Sequence, residues 1–148
     1  MSIDYRLTLS GDVLLEELAD LVAPGAAETL APGGNRVLSA DLDNESGYVI
    51  SLTSGMHGYY EAEADGAVWQ WEPATYVDIT FHMNKDTLSD KGRPHMLRTV
   101  AKILTNTTED AALILNDNWL LLTRSKGKMR KHNTTDWYDQ TYDDILPD

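Results

Sequence analysis

The chain of 148 residues contains no cysteine, only one phenylalanine, and no apolar run near the roughly 20 residues needed to cross a bilayer. Without cysteine there are no disulfides, no thiolate zinc sites and no cysteine nucleophiles, and this composition fits a reducing compartment. The N-terminus has an acid and alternating residues where a secretory signal needs a basic start and an apolar segment. We therefore expect a cytoplasmic protein, and a chain of this length suits a single domain over residues 1–148.

Basic residues are also scarce, since 12 Lys and Arg face 24 Asp and Glu and give a formal net charge of −12. Residues 1–90 hold three bases against sixteen acids, residues 91–135 hold nine against three, and residues 136–148 hold five acids and no base. This division predicts faces of opposite charge, unless the basic segment folds against the acidic ones and neutralises them. The net charge repels nucleic acid and anionic lipid and favours a basic partner.

Signatures of catalysis and of metal binding are missing. The four histidines fall on different predicted elements, and the chain has no Gly-rich phosphate loop, no nucleophile elbow and no His-Glu-x-x-His. Asp41, Asp43 and Glu45 resemble part of a calcium loop, but they lack its glycine and its distant bidentate glutamate, so they indicate a turn. We expect no metal and no cofactor, and we favour a binding protein over an enzyme.

Alternation of apolar and polar residues predicts strands through much of the chain. It is clearest over residues 76–83 and also occupies residues 3–9, 48–52 and 59–63. Asp65-Gly66 is typical of a two-residue hairpin turn, and it leads into a strand over residues 67–71. Polar residues on the second face of these strands predict an antiparallel sheet with one face in water.

Two helices are predicted beside this sheet. The first covers residues 13–22, with Ser10 and Asp12 offering capping oxygens before it and Pro24 ending it. Residues 24–35, which contain two prolines and three glycines, indicate a loop. The second helix starts after Gly92-Arg-Pro94 and carries apolar residues at helical spacing: Met96, Leu97, Val100, Ile103 and Leu104.

A β-hairpin over residues 112–123, turning at Asn116-Asp117-Asn118, follows the second helix. Residues 136–148 are too aromatic for a simple disordered tail, so we expect partial docking of this segment. The predicted fold is α+β: a mostly antiparallel sheet with two main helices packed on one face. The predicted core includes Tyr5, Leu7, Leu18, Ile50, Ile79, Phe81, Val100, Leu104, Leu113, Leu115 and Leu121.

Two groups of residues have more than one interpretation. Trp69 and Trp71 point to the same side of their strand, where they could be core, a binding hot spot, or, with Tyr59 and Tyr60, the lining of a small-ligand pocket. Such a pocket could belong to a ligand-binding protein or to an enzyme. A basic cluster near Trp119 could hint at single-stranded nucleic acid, but the acidic remainder of the chain argues against it: Arg124, Lys126, Lys128, Arg130 and Lys131.

Several segments resemble the Sit-type immunity family, bacterial proteins that protect cells from a partner toxin delivered by neighbours. The similar segments are the strand at Asp4-Tyr5-Arg6-Leu7, the aromatic-Pro step at residues 69–73 with the strand after it, the helix at residues 96–104, the hairpin that starts at Asp110, and Trp137. The resemblance covers most of the chain except residues 24–66. It implies a cytoplasmic, non-enzymatic protein that binds a toxin, and it supplies no catalytic residues.

The acidic residues of the first half suggest where such a toxin would dock. Glu16, Glu17 and Asp20 are predicted on one face of the first helix, and Asp41, Asp43 and Glu45 crowd a neighbouring loop. We hypothesise that these six residues form a docking surface for a basic toxin, with charge speeding association and an apolar centre supplying affinity. The alternative is that they only keep the protein soluble.

Overall fold

A computed structural model describes residues 3–135 and 137–138 of the chain. Its strands are β1 Asp4–Ser10, β2 Ala27–Leu30, β3 Arg36–Leu42, β4 Tyr48–Met56, β5 Tyr60–Ala64, β6 Ala67–Trp71, β7 Thr75–Met83, β8 Ala111–Leu115, β9 Trp119–Ser125 and β10 Lys128–Lys131. The α-helices are α1 Leu15–Val22, α2 Asp43–Ser46 and α3 Arg93–Thr105. A 3₁₀ turn at Lys85–Thr87 and a π-helical turn at Leu88–Gly92 lead into α3.

The strands form one sheet in the order β2-β3-β4-β7-β1-β8-β9-β5-β6, with β10 added beside β9. Every pairing is antiparallel except that of β5 with β9, which is parallel and consists of the pair Glu63 and Trp119. The prediction of a mostly antiparallel sheet is therefore confirmed. The N-terminal strand β1 lies at the centre between β7 and β8, so residues distant in sequence meet there.

The main core lies on one face of this sheet. Val77, Ile79 and Phe81 alternate along β7 and are fully buried, as the period of two predicts. The apolar stripe of α3 packs onto the same cluster. Ten of the eleven residues predicted for the core are buried, and Leu115 is only partly buried.

The predicted number of main helices is not confirmed, because only α3 is long. α3 has 13 residues, whereas α1 has eight and begins at Leu15 rather than at residue 13. The predicted caps Ser10 and Asp12 are not used: Leu14 is the N-cap, and its side chain makes no capping hydrogen bond. Among residues 3–135 and 137–138, no helix is both long and apolar enough to span a membrane.

Residues 24–35 were predicted as a loop, and this is partly wrong because they contain β2. This strand pairs with β3 from Ala27 opposite Ser39 to Leu30 opposite Arg36. All four of its residues are exposed at the sheet edge. A strand without a buried face has no apolar alternation, so the sequence pattern does not indicate β2.

The second face of the sheet is only partly in water, which corrects the prediction of one fully solvated face. The β5–β6 hairpin, closed at Asp65-Gly66 with both φ angles positive, places Tyr60 and Ala62 in a small cluster with residues of β8 and β9. Trp69, Trp71 and Tyr76 pack against this cluster. The hairpin therefore covers the β8–β9 side, whereas His82 toward the end of β7 stays exposed.

Tyr76 fits against the sheet because two of its neighbours are glycine. Gly55 is its cross-strand partner on β4, and a Cβ atom there would collide with the Tyr76 ring. A Cβ atom at Gly58 would lie 2.9 Å from the same ring. The ring also packs edge-on against Tyr60, with their centroids 5.8 Å apart. These contacts connect the end of β4 to the hairpin.

The start of the C-terminal segment contacts the core. Trp137 Nε1 donates to the Tyr5 hydroxyl over 3.0 Å, and the Tyr138 hydroxyl donates to the Leu121 carbonyl over 2.5 Å. Residues 136 and 139–148 lie outside the described residues. The predicted docking of residues 136–148 as a whole therefore stays a prediction.

Candidate functional site

The acidic face of α1 is exposed because the opposite face is buried in the core. Leu15, Leu18 and Ala19 are buried, and Glu16, Glu17 and Asp20 point to solvent. Acidic side chains near the N-terminus of a helix interact favourably with the helix dipole, which stabilises the helix. The helix therefore presents its acids as the sequence predicts.

Arg36 partly neutralises this face. Its guanidinium forms an ion pair with Glu16 and another with Glu28, 2.7 Å away on β2. The pKa of Glu16 is lowered, mainly by a hydrogen bond from the backbone of Glu16 and next by the hydrogen bond from Arg36. The hydrogen bond from Arg36 also lowers the pKa of Glu28. Glu17 and Asp20 form no ion pair with other described residues, so they carry the open negative charge of the helix.

The second group of acids lies at the other end of β3. Asp41 accepts a hydrogen bond from the backbone of Asp43, and Asp43 accepts one from the side chain of Asn84. Glu45 is exposed on α2. Arg36, which contacts α1, is five residues from Asp41 along β3, or about 17 Å. The two acidic groups therefore lie toward opposite ends of this strand, and their role in binding stays a prediction.

Two clefts flank the loop between β1 and α1. The larger has a volume of about 560 Å³ and is lined by this loop and by the adjoining ends of β4 and β7, including Met56, His57 and Tyr76. The smaller has about 300 Å³ and lies between the start of α1 and the loop after α3. Asp12 and Val13 line both clefts, so the two clefts share this loop as a wall, and together they are called the groove below.

The four aromatic residues considered as a pocket lining pack on one another. Tyr60 is buried, and its ring centroid lies 5.8 Å from that of Trp71, which lies 6.0 Å from that of Trp69. Tyr59 is exposed and donates to Glu61. None of the four lines either cleft of the groove. A ligand pocket formed by these residues stays a prediction.

A carboxylate that sequence reasoning missed lies under the hairpin. Asp78 accepts hydrogen bonds from the Thr8 hydroxyl at 2.5 Å and from the Tyr60 hydroxyl at 2.9 Å. Burial raises the pKa of Asp78, against the effect of these two donors. Its position on the polar face of β7 predicted exposure, and only the covering hairpin makes it partly buried.

We expect Asp78→Asn to stabilise the protein at neutral pH. The raised pKa means that folding disfavours the ionised form, so the wild type loses stability as pH rises from the unfolded value of about 3.9 through the folded pKa. The asparagine oxygen keeps both hydrogen bonds without charge, and the expected gain is on the order of 1 kcal/mol. Urea unfolding between pH 4 and pH 8 measures it, with the exposed Asp86→Asn as control. Lower stability of Asp78→Asn at pH 8 would contradict this reasoning.

Asp4, His82 and Ser51, on neighbouring strands, are arranged in the order of the acid, base and nucleophile of a serine hydrolase triad. His82 Nδ1 lies 3.1 Å from Asp4, and its Nε2 lies 3.5 Å from the Ser51 hydroxyl. A serine nucleophile and its base need about 2.6–3.2 Å, and this His82 side chain is half exposed. The arrangement supports hydrogen bonding across strands rather than activation of Ser51.

The basic cluster is divided by burial. Arg124 is 7% exposed and its guanidinium turns inward, whereas Lys126, Lys128 and Arg130 are exposed. His132, also buried, lies between Asp65 and Thr123, 2.8 Å from each. A hydrogen bond from the Asn133 backbone, followed by the one with His132, lowers the pKa of Asp65. These residues fasten the hairpin turn to the segment after β10.

Metal ligands do not cluster in the part of the chain that the structure describes. Within residues 3–135 and 137–138, no three side chains of His, Asp or Glu converge in a way that could hold an ion. A family model described as SitI3-like matches residues 3–141, a span that includes every described strand and helix. Neither curated proteins nor solved structures give a match.

Proposed function

Because the chain belongs to the SitI3-like family, we propose that it is a non-enzymatic immunity-type protein that binds a partner toxin and neutralises it. The observation that carries the proposal is the family match over residues 3–141, which agrees with the resemblance seen in the sequence. We further propose that it acts in the cytoplasm, because a chain without cysteine needs no oxidising compartment to form disulfides. Its partners would be proteins rather than nucleic acids or lipid surfaces.

The charge of the protein supports a basic partner. The chain has a formal net charge of −12, and Glu17 and Asp20 on α1, Asp41 on β3 and Glu45 on α2 are exposed. An acidic surface steers a basic protein toward it and raises the association rate, with an effect that salt weakens. In this proposal the six acids predicted from the sequence supply the negative charge that attracts the toxin, and the ion pair with Arg36 reduces the contribution of Glu16.

Co-purification with the product of the adjacent reading frame tests this function. We expect the wild type to retain that protein, and the triple variant Glu16→Lys, Glu17→Lys and Asp20→Lys to bind it at least tenfold more weakly, with a smaller dependence on salt. A control variant with the same change in charge uses exposed acids elsewhere: Glu61→Lys, Glu72→Lys and Asp90→Lys. Equal affinity and equal salt dependence of the two variants would reject the α1 face, and no retained protein would reject the proposed function.

A further inference from the structure

Helix α1 begins with a residue that is poorly suited to its position. Leu14 is the N-cap, its backbone is extended at φ −75° and ψ 130°, and its side chain makes no capping hydrogen bond. Ser, Thr, Asp and Asn are preferred there because their oxygens accept from the free N–H groups of the first turn. The Leu14 side chain is also 57% exposed, so it adds little to the core. Neither helix capping nor burial explains leucine at this position.

A second exposed apolar side chain lines the other cleft of the groove. Met56, at the end of β4, is 69% exposed and lines the larger cleft, and Leu14 lines the smaller one. Val13, which lines both clefts, lies between them. Exposed large apolar residues that gather around a concave surface are typical of protein contact sites.

The charge around the groove is of one sign. Asp12, Glu17 and Glu109 line the smaller cleft, and no Lys or Arg among the described residues lines either cleft. Two cations lie beside the walls: Arg36 follows Asn35, which lines the larger cleft, but it is paired with Glu16 and Glu28, and Arg124 donates to the Thr107 hydroxyl on the wall of the smaller cleft. Its other bonds go to the Leu104 and Glu109 carbonyls, so its charge faces the interior.

On the basis of the function proposed above, we propose that this groove around Asp12–Leu14 is where the toxin docks. The occupant is a segment of the toxin with an apolar side chain flanked by Lys or Arg. Its apolar side chain packs against Leu14, Val13 and Met56, and its basic residues pair with the acids at the rim. An apolar centre within a charged rim is the usual arrangement of a tight protein interface.

The position of the groove gives the acids predicted from the sequence two different roles in binding. Glu17 lines the smaller cleft directly. Glu45 lies on α2, between the end of β3 and Tyr48, where β4 begins. Tyr48 and Met56 are eight residues apart on β4, which is about 26 Å. Glu17 therefore contributes to the bound complex, while Asp41, Asp43 and Glu45 only steer the approach.

The variant Leu14→Ser separates this role from a structural one. Serine supplies the missing cap, so we expect the melting temperature to rise by about 2–4 °C. We expect the dissociation constant for the purified product of the adjacent reading frame to increase at least tenfold. Met56→Ser should also increase this dissociation constant. Val68→Ser, at a side chain that is 68% exposed on β6, is the matched control and should leave the dissociation constant unchanged.

A pair of charge variants completes the test by surface plasmon resonance. Glu17→Lys should both slow association and speed dissociation, while Glu45→Lys, with the same change in charge, should slow association only. Binding that is unchanged in Leu14→Ser, Met56→Ser and Glu17→Lys overturns the groove and leaves the proposed function standing. If the wild type does not bind the toxin at all, the proposed function fails and the groove fails with it.

Discussion

Arg124→Ala should lower the free energy of unfolding by about 3 kcal/mol, because it leaves one buried and two partly buried acceptors without a donor. The guanidinium donates over 2.7 Å to the Glu109 carbonyl, over 2.7 Å to the Leu104 carbonyl and over 2.9 Å to the Thr107 hydroxyl. Leu104 belongs to the last turn of α3, whose carbonyls have no partner within the helix. The positive charge also complements the helix dipole at that end.

Urea unfolding at neutral pH measures this effect. Burial lowers the pKa of Arg124, but an arginine stays charged at neutral pH. Arg130→Ala, on the neighbouring strand β10 with a side chain 73% exposed, is the control and should change stability by less than about 0.5 kcal/mol. Arg124→Lys should recover only part of the loss, because an ammonium cannot match the planar fork of donors. A loss below 1 kcal/mol for Arg124→Ala would show that these bonds contribute little.

Asn133→Ala is expected to cost about 3 kcal/mol and to loosen the β5–β6 hairpin. Asn133 is 5% exposed, and its amide donates to the carbonyls of Glu63 and Leu120 while its oxygen accepts from the Asp65 backbone. Its φ of 53° is left-handed, a conformation that asparagine tolerates better than alanine. Since β5 joins β9 through one bridge pair, these bonds hold the hairpin in place.

Hydrogen exchange of the β5 and β6 amides, together with urea unfolding, tests the role of Asn133. Asn133→Gly accepts the left-handed backbone but lacks the side chain, so it should be about 1 kcal/mol less damaging than the alanine variant. The exposed neighbour Thr134→Ala should leave both exchange and stability unchanged. If the hairpin amides of Asn133→Ala stay as protected as in the wild type, other contacts must hold the hairpin.

The parts of the fold that could be predicted are those with a local repeat. Val77, Ile79 and Phe81 alternate along β7, and the apolar residues of α3 recur at helical spacing, so both buried faces are readable without a structure. The turn at Asp65-Gly66 was predictable from local sequence too, because its left-handed backbone favours these two residue types. β2 escaped prediction because none of its side chains is buried.

The candidate site was predictable only in its charge. The exposure of Glu17 and Asp20 follows from the helical period of α1, but the pairing of Glu16 with Arg36 joins residues 20 positions apart. The groove needed β4, β7 and the loop after α3 to meet the β1–α1 loop. The start of α1 was also missed, because nearby Ser10 and Asp12 offered better caps than the Leu14 that the structure uses.

The sequence by itself determined which side chains of β7 and α3 face the core, the position of the turn at Asp65-Gly66, and the acidic charge available for a partner. These properties depend on neighbours within a few residues, so the chain carries them wherever it folds. The tertiary structure alone decided that Arg124 is buried, that Asp78 lies beneath Tyr60, and that Asn133 joins the hairpin to the sheet. Each of these results from contacts such as the one between Glu63 and Asn133, 70 residues apart, and no local pattern contains that information.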